Sequence, residues 1–236
     1  MTDTSTGQSI GPGVRTRLWR DGRWVNDDFD LTELDAHLCD ERELTWVDLL
    51  DPSADLLTEL ATELGLAPQA VGNALSTYDR PKATRHSTHL FVTVYATRID
   101  VEEPKTHDSR LVLSKVSAFV MPRGLITVRF SGAEGQPPFD MAPVIERWDD
   151  NADLIQGAGI EAVGALLHGL LDEIVDGHFR TIQHMDDAIE SLEALLFDDA
   201  IRTRQVQAAT YRLRKELVEL RRVVTPATAF LSAVRR

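Results

Sequence analysis

Strand and helix signals alternate over residues 14–157 and give way to two long helical periods over residues 158–236, so the chain reads as an α/β protein. The expected architecture is an α/β/α layered domain on a mixed sheet, followed by a long antiparallel helical hairpin. Three observations predict it. Leu90 to Ile99, Arg110 to Met121 and Leu125 to Phe130 are rich in β-branched and aromatic residues. Helix start and stop signals fall between the strands, with Ser53 before one helix and Gly65 after it. Beyond Ile160 the apolar residues recur by three and four without a break as far as Leu196. Residues 1–13, polar and containing Gly and Pro, are read as a disordered tail.

Each element has a local cause. Val14 to Trp19 and Arg23 to Val25 flank Asp21-Gly22, a pair that accepts the positive φ angles of a tight hairpin. Leu31, Leu34 and Leu38 repeat at helical spacing behind Asp30 as N-cap. Leu44 to Leu49 is apolar enough for a buried strand. Asp51-Pro52-Ser53 opens a helix through Leu64, and Pro68 opens another to about Ser76. Arg80-Pro81-Lys82 reads as a rigid turn into the next strand, with Arg80 capping nearby carbonyls. Pro122-Arg123-Gly124 joins two strands through a glycine that tolerates strained backbone. A Gly/Pro-rich loop at Ser131 to Pro138 precedes a helix at Met141 to Trp148.

The long helices carry a seam. Leu167, Leu170, Ile174, Ile182, Met185, Ile189, Leu192 and Leu196 form a coiled-coil-like stripe on the first. Val206, Ala209, Leu213, Leu217, Leu220 and Val224 do so on the second, from Ile201 to about Ala233. Phe197-Asp198-Asp199-Ala200 is short, which makes the two antiparallel. The first helix is acidic and the second basic, a complementarity that favours the pairing. Nothing after Leu231 stops the second helix, so the chain is expected to end in mid-architecture.

Composition narrows the function. A formal net charge of -13 argues against nucleic acid as a partner and suits a chain that meets cations. Cys39 is the single cysteine, which excludes an internal disulfide and multi-cysteine metal sites. No apolar run approaches the ~20 residues of a membrane helix, so the sequence as it stands is expected to be soluble. Walker, Gly-x-Ser-x-Gly and His-Glu-x-x-His patterns are missing from the sequence. Gly157-Ala158-Gly159 with Gly164 is only a loose dinucleotide pattern, since no strand precedes it. No organic cofactor is expected.

His168, Asp172 and Asp176 lie at four-residue intervals, and Arg180 and His184 continue the row. Together they could present oxygen and nitrogen ligands to a divalent ion, or form a solvated face on which Asp176 pairs with Arg180. His178 interrupts the apolar stripe and reads as a packed, hydrogen-bonded histidine. Asp48 and Asp51, near a strand end, are the carboxylates an enzyme would use.

Gly65-Leu66-Ala67-Pro68, then Arg80-Pro81-Lys82, then Leu90-Phe91-Val92-Thr93-Val94 together resemble the cytosolic domain of CorA-type divalent-cation transporters. Trp46-Val47-Asp48-Leu49 with Pro52, and Leu213 to Arg222 with Pro226, extend the resemblance from about Leu44 to Arg236. It implies a homopentameric funnel on the cytoplasmic face of the cell membrane, in an integral membrane protein that moves Mg2+, Co2+ or Zn2+. In that family the pore and its Gly-Met-Asn loop lie in two C-terminal membrane helices, which this sequence does not include. The resemblance also places Asn73 where the Mg2+ branch has an Asp that holds Mg2+ between subunits. An Asn offers a carbonyl oxygen but no charge, and so a weaker hold. The competing readings are a stand-alone interaction module acting through the helical hairpin, and an enzyme built on Asp48 and Asp51.

Overall fold

The computed structural model describes residues 13–100, 111–132, 136–155, 159–196 and 203–234. The tail call of residues 1–13 lies outside this range except for Gly13, as do Gly157-Ala158 and the connection Phe197 to Ala200.

Seven strands form one sheet: β1 (Val14–Arg20), β2 (Arg23–Asp27), β3 (Glu43–Leu50), β4 (Lys82–Arg85), β5 (Leu90–Ile99), β6 (Leu111–Met121) and β7 (Gly124–Arg129). Their order is β2-β1-β3-β7-β6-β5-β4. Only β3 and β7 run parallel, with Val47 opposite Ile126; every other pair is antiparallel. The sheet is therefore mixed, as the sequence predicts.

Alternation along the strands divides the core. Leu44, Trp46, Val92, Val94, Val116, Ala118 and Leu125 face one side. There α4 (Ala142–Asp150) and the first part of α5 (Ile160–Leu196) cover them, through Val144, Trp148, Val163, Leu166 and Leu170. Val47, Leu49, Phe91, Phe119, Ile126 and Val128 face the other, under α1 (Leu34–Cys39), α2 (Ala54–Glu63) and α3 (Pro68–Leu75). The result is the expected α/β/α layering. Trp148 stands edge-on to Trp19 and Trp46, at ring-centroid distances of 6.2 and 5.0 Å, which fixes α4 on the sheet.

The local signals account for most boundaries. Asp21 and Gly22 both have positive φ, 52° and 75°, the twist-compatible turn their identities predict. Ser53 accepts from the Leu56 amide at the start of α2, and Gly65, at φ 63°, closes that helix. Leu31 to Leu38 is a single turn of 3-10 helix followed by the short α1.

Three readings are corrected. Lys82–Arg85 is a fourth strand, not part of a turn; four residues with two cations lack the alternation that marks a strand, and this one lies at the sheet's edge. Gly124 does not have positive φ: it is needed because a Cβ there would lie 2.5 Å from Leu38 Cδ2 and 2.9 Å from Thr45 Oγ1. Ile182 is exposed, because the buried line on α5 runs through Ile174, His178, Thr181 and Met185, and Leu217 of the α6 stripe is exposed as well, while Leu213 and Leu220 are buried. A helix repeats every 3.6 residues, so a seam drawn through apolar residues alone drifts off the packed face where that face turns polar.

The helix α6 (Thr203–Val234) continues through Pro226. Leu213, Leu220 and Val224 on α6 pack with Met185, Ile189 and Leu192 on α5, and with Leu111 at the end of the sheet. The ion pairs described for α5 run to Arg147 on α4 and to Arg180 on α5 itself, not to α6.

Candidate functional site

Asp172 and Asp176 lie one helical turn apart on α5 and are brought together by Arg147 of α4. The guanidinium donates to Asp172, to Glu173 at 2.8 Å and to Asp176 at 2.7 Å. Arg180 adds a bond to Glu173 at 2.6 Å. The hydrogen bonds to Glu173 and Asp176 raise the Arg147 pKa well above its usual value, so this charge is permanent. The pairing of Asp176 with Arg180 is replaced: Arg147 takes Asp176, and Arg180 takes Glu173. A hydrated cation meeting Asp172 and Asp176, each close to half-exposed, competes with a guanidinium already seated. His168 is exposed and takes no part in this cluster. Among the described residues no three His, Cys, Asp or Glu side chains converge as metal ligands.

His178 is packed and bonded, as its place in the stripe predicts. Its Nε2 donates to the Tyr95 carbonyl at 2.8 Å, and burial lowers its pKa, leaving a neutral ring. One turn on, the Thr181 and Thr97 hydroxyls meet at 2.9 Å. These contacts fasten α5 to β5. Further along, His184 and Asp187 line a cavity of about 400 Å³ with Arg212 and Glu216 of α6.

Asn73 sits at the end of α3, across the sheet from α5. The chain does not bring it near His168, Asp172 or Asp176. Its backbone carbonyl accepts from Lys115 Nζ at 2.6 Å, and the same ammonium reaches the carbonyls of Ala74 at 3.1 Å and Ser76 at 2.5 Å. Lys115 of β6 thus caps α3, the role the sequence suggests for Arg80. Burial pulls the Lys115 pKa down to about 8, with Asp79 acting against the shift and Lys82 adding to it. Tyr95 completes the arrangement: its hydroxyl donates to the Asp79 carbonyl at 2.6 Å and accepts from the Asp79 amide at 3.2 Å. Lys82 pairs with Asp79 at 2.6 Å.

The carboxylates offered for catalysis are committed elsewhere. Asp48 is fully buried and accepts two bonds from Arg129 Nε, at 2.9 and 3.0 Å, and one from Nη2 at 2.6 Å. Thr127 Oγ1 donates to it at 2.8 Å. Asp51 accepts from the Ser131 amide and hydroxyl at 2.8 and 2.5 Å. Gly164 lies inside α5, and among the described residues a 3-10 turn, not a strand, comes before that helix.

Lys115 and Arg147 escape a reading based on spacing. Lys115 left one trace, a lone cation inside the apolar run Leu111 to Met121. Arg147 left none, because its three acceptors lie 25 to 29 residues away.

Similarity to other proteins agrees with this architecture. Residues 41–236 match the family model described as CorA-like Mg2+ transporter protein. The cobalt/magnesium transport protein CorA of Thermotoga maritima is 24% identical over 214 residues, covering 89% of this chain. The chain spans 56% of that relative's length. The soluble domain of CorA from Methanocaldococcus jannaschii superposes with a TM-score of 0.63 at 18% identity, covering 94% of this chain and 79% of that one. The ZntB cytoplasmic domain from Vibrio parahaemolyticus gives 0.57 at 15% identity, with the same coverage. A mixed seven-stranded sheet between helical layers, a 37-residue helix leading out of it and a family match over most of the sequence converge: the chain belongs to the CorA-like Mg2+ transporter family.

Proposed function

We propose that this chain serves as the regulatory and assembly portion of a divalent-cation transport protein, on the cytoplasmic face of a membrane. The observation that carries the reading is the family match over residues 41–236. No helix among the described residues is long and apolar enough to cross a membrane, so the part described here works on ions through its conformation or assembly. Mg2+, Co2+ and Zn2+ are the proposed cargo; the Thermotoga maritima relative is named for cobalt and magnesium transport and the family model for Mg2+.

Assembly into a homopentamer is supported by apolar side chains left outside the core. Phe179 on α5 is 62% exposed and Tyr211 on α6 is 70% exposed, and Leu217 and Val218, about two turns further along α6, are exposed too. In such an assembly Asn73 would offer its amide oxygen to a bridging cation. The Lys115 ammonium at the end of the same helix opposes a divalent charge there, which supports weak Mg2+ regulation through this position. Asp172 and Asp176 are the second cation-facing pair, gated by exchange with Arg147, and His168, one turn earlier on α5 and outside their cluster, would have to turn toward them to serve as a third ligand.

Uptake of Mg2+, Co2+ and Zn2+ by cells that lack their own transporters and express the complete natural reading frame tests the proposal. Uptake of at least one ion above the empty-vector level is expected, altered by Asp172→Asn with Asp176→Asn. Background uptake of all three ions by a protein located in the membrane would overturn it.

A further inference from the structure

The loop between α3 and β4 presents the most exposed large apolar side chain among the described residues: Tyr78 is 88% exposed. A lone surface aromatic is ordinary, but this one stands on a backbone held from several sides. The Ser76 hydroxyl donates to the Tyr78 carbonyl at 2.8 Å. Tyr95 grips both the amide and the carbonyl of Asp79, the Arg80 amide donates to Asp79 Oδ1 at 2.8 Å, and Lys82 pairs with the same carboxylate. Pro81 fixes a further φ angle. Such a loop has little freedom left to lose on docking, and Tyr with Arg is the composition of an interface anchor. Arg80 is exposed, and among the described residues only its amide is bonded.

A surface of matching chemistry lies on α5. Phe179, Ile182 and Asp186 recur at three and four residues, so they share one stripe of the helix, and all three are exposed. Asp186 forms no ion pair among the described residues. From Ile182 to Asp186 is one turn, about 6 Å along the axis. Tyr78 and Arg80, two residues apart, span at most about 7 Å, so the aromatic and the cation are spaced to meet the apolar residue and the carboxylate together. Within one chain they do not meet, because Tyr78 is exposed and α3 and α5 cover opposite faces of the sheet.

We propose that the α3–β4 loop docks on α5 of a second copy of this chain, Tyr78 against Phe179 and Ile182, and Arg80 on Asp186. The contact rests on the assembly reading above and names the two surfaces that meet. Two different patches on opposite layers make it head-to-tail, so each copy uses its loop toward one neighbour and its α5 toward the other, and the arrangement closes as a ring. In a chain of net charge -13 most surfaces repel their own kind, and a cation set against a carboxylate selects the register.

Photo-crosslinking of the full chain carrying Tyr78→p-benzoylphenylalanine, as a mixture of 15N-labelled and unlabelled copies, tests the contact. Light should join the probe to the segment from Phe179 to Asp186 of another copy, identified by mass spectrometry of mixed-isotope peptides. The same probe in place of Trp24, which is 55% exposed on β2, should give no such link. In sedimentation velocity Tyr78→Ala should weaken self-association about thirtyfold, the size of an interface anchor. Asp186→Arg should weaken it at least about tenfold, and adding Arg80→Asp to the same chain should restore it, a rescue that a merely structural role for either charge would not produce. All these positions are exposed, and circular dichroism confirms that the variants fold. Links confined to one chain, links to another surface of the second copy, equal linking from Trp24, or a charge swap without rescue would overturn this contact while an assembled wild type leaves the assembly reading standing. A wild type that is monomeric throughout would remove both.

Discussion

Lys115 is an ammonium placed among the last carbonyls of α3, on a strand face it shares with Ser117, Phe119 and Met121. Its pKa of about 8 lies below the 10.5 of an unfolded lysine. Between these values the unfolded chain holds more protons than the folded one, so the lysine's contribution makes stability rise with pH through that window. Tyr95 acts in the opposite sense only above 10, because burial raises its pKa and the unfolded phenol ionises first. The urea midpoint is therefore expected to increase from pH 7.5 to pH 9.5, and Lys115→Met should flatten the increase. An equal rise in the variant would place the titration elsewhere. Single residues are also where the sequence was least legible. The packed state of His178 followed from its position between Ile174 and Ile182 in the sequence, but the partners of Asp172, Asp176 and Asn73 depended on which distant strands and helices meet. Asp48, at a strand end, looked like a reactive carboxylate until Arg129 from the neighbouring parallel strand covered it.

At the level of elements, α4 and α5 approach closely at one glycine. A Cβ at Gly169 would lie 2.6 Å from Trp148 Nε1 and 2.7 Å from its Cδ1. Trp148 is held against yielding, because it donates to the Leu166 carbonyl at 3.0 Å and packs edge-on against Trp19 and Trp46. Gly169→Ala should destabilise the fold by about 1–3 kcal/mol through overpacking, even though alanine is the better helix former. Equilibrium unfolding in urea measures it, and an unchanged or raised midpoint would show that the helices can separate cheaply. Elements marked by their own residues were legible: the Asp21-Gly22 hairpin, the Ser53 to Gly65 helix and the whole of α5 follow local rules. The edge strand β4 was not, because its pairing with β5 depends on the partner more than on its own four residues.

For the whole molecule, layering and element order were readable because the apolar periods change cleanly from two to near four at the domain's end. How copies of the chain meet was not, since the exposed apolar residues of α5 and α6 belong to no core within one chain. Self-association through them is expected to appear in sedimentation velocity as a species heavier than the 26.3 kDa monomer, and Tyr211→Ser with Leu217→Ser should return it to the monomer. A wild-type chain that stays monomeric at high concentration would remove these residues from the assembly. The charge of -13 opposes association at low ionic strength, so added salt should favour the heavier species.

The 37 residues of α5 make a rod roughly 55 Å long, clamped over its first turns by the tryptophan cluster and over its middle by His178 and Thr181. Such a rod converts angle into displacement. Beyond Thr181 about 23 Å of the rod remains, so a tilt of about 2.5 degrees about that contact moves the far tip by roughly 1 Å. A small change of angle where α5 meets β5 thereby becomes a movement the size of an ion's radius at the other end.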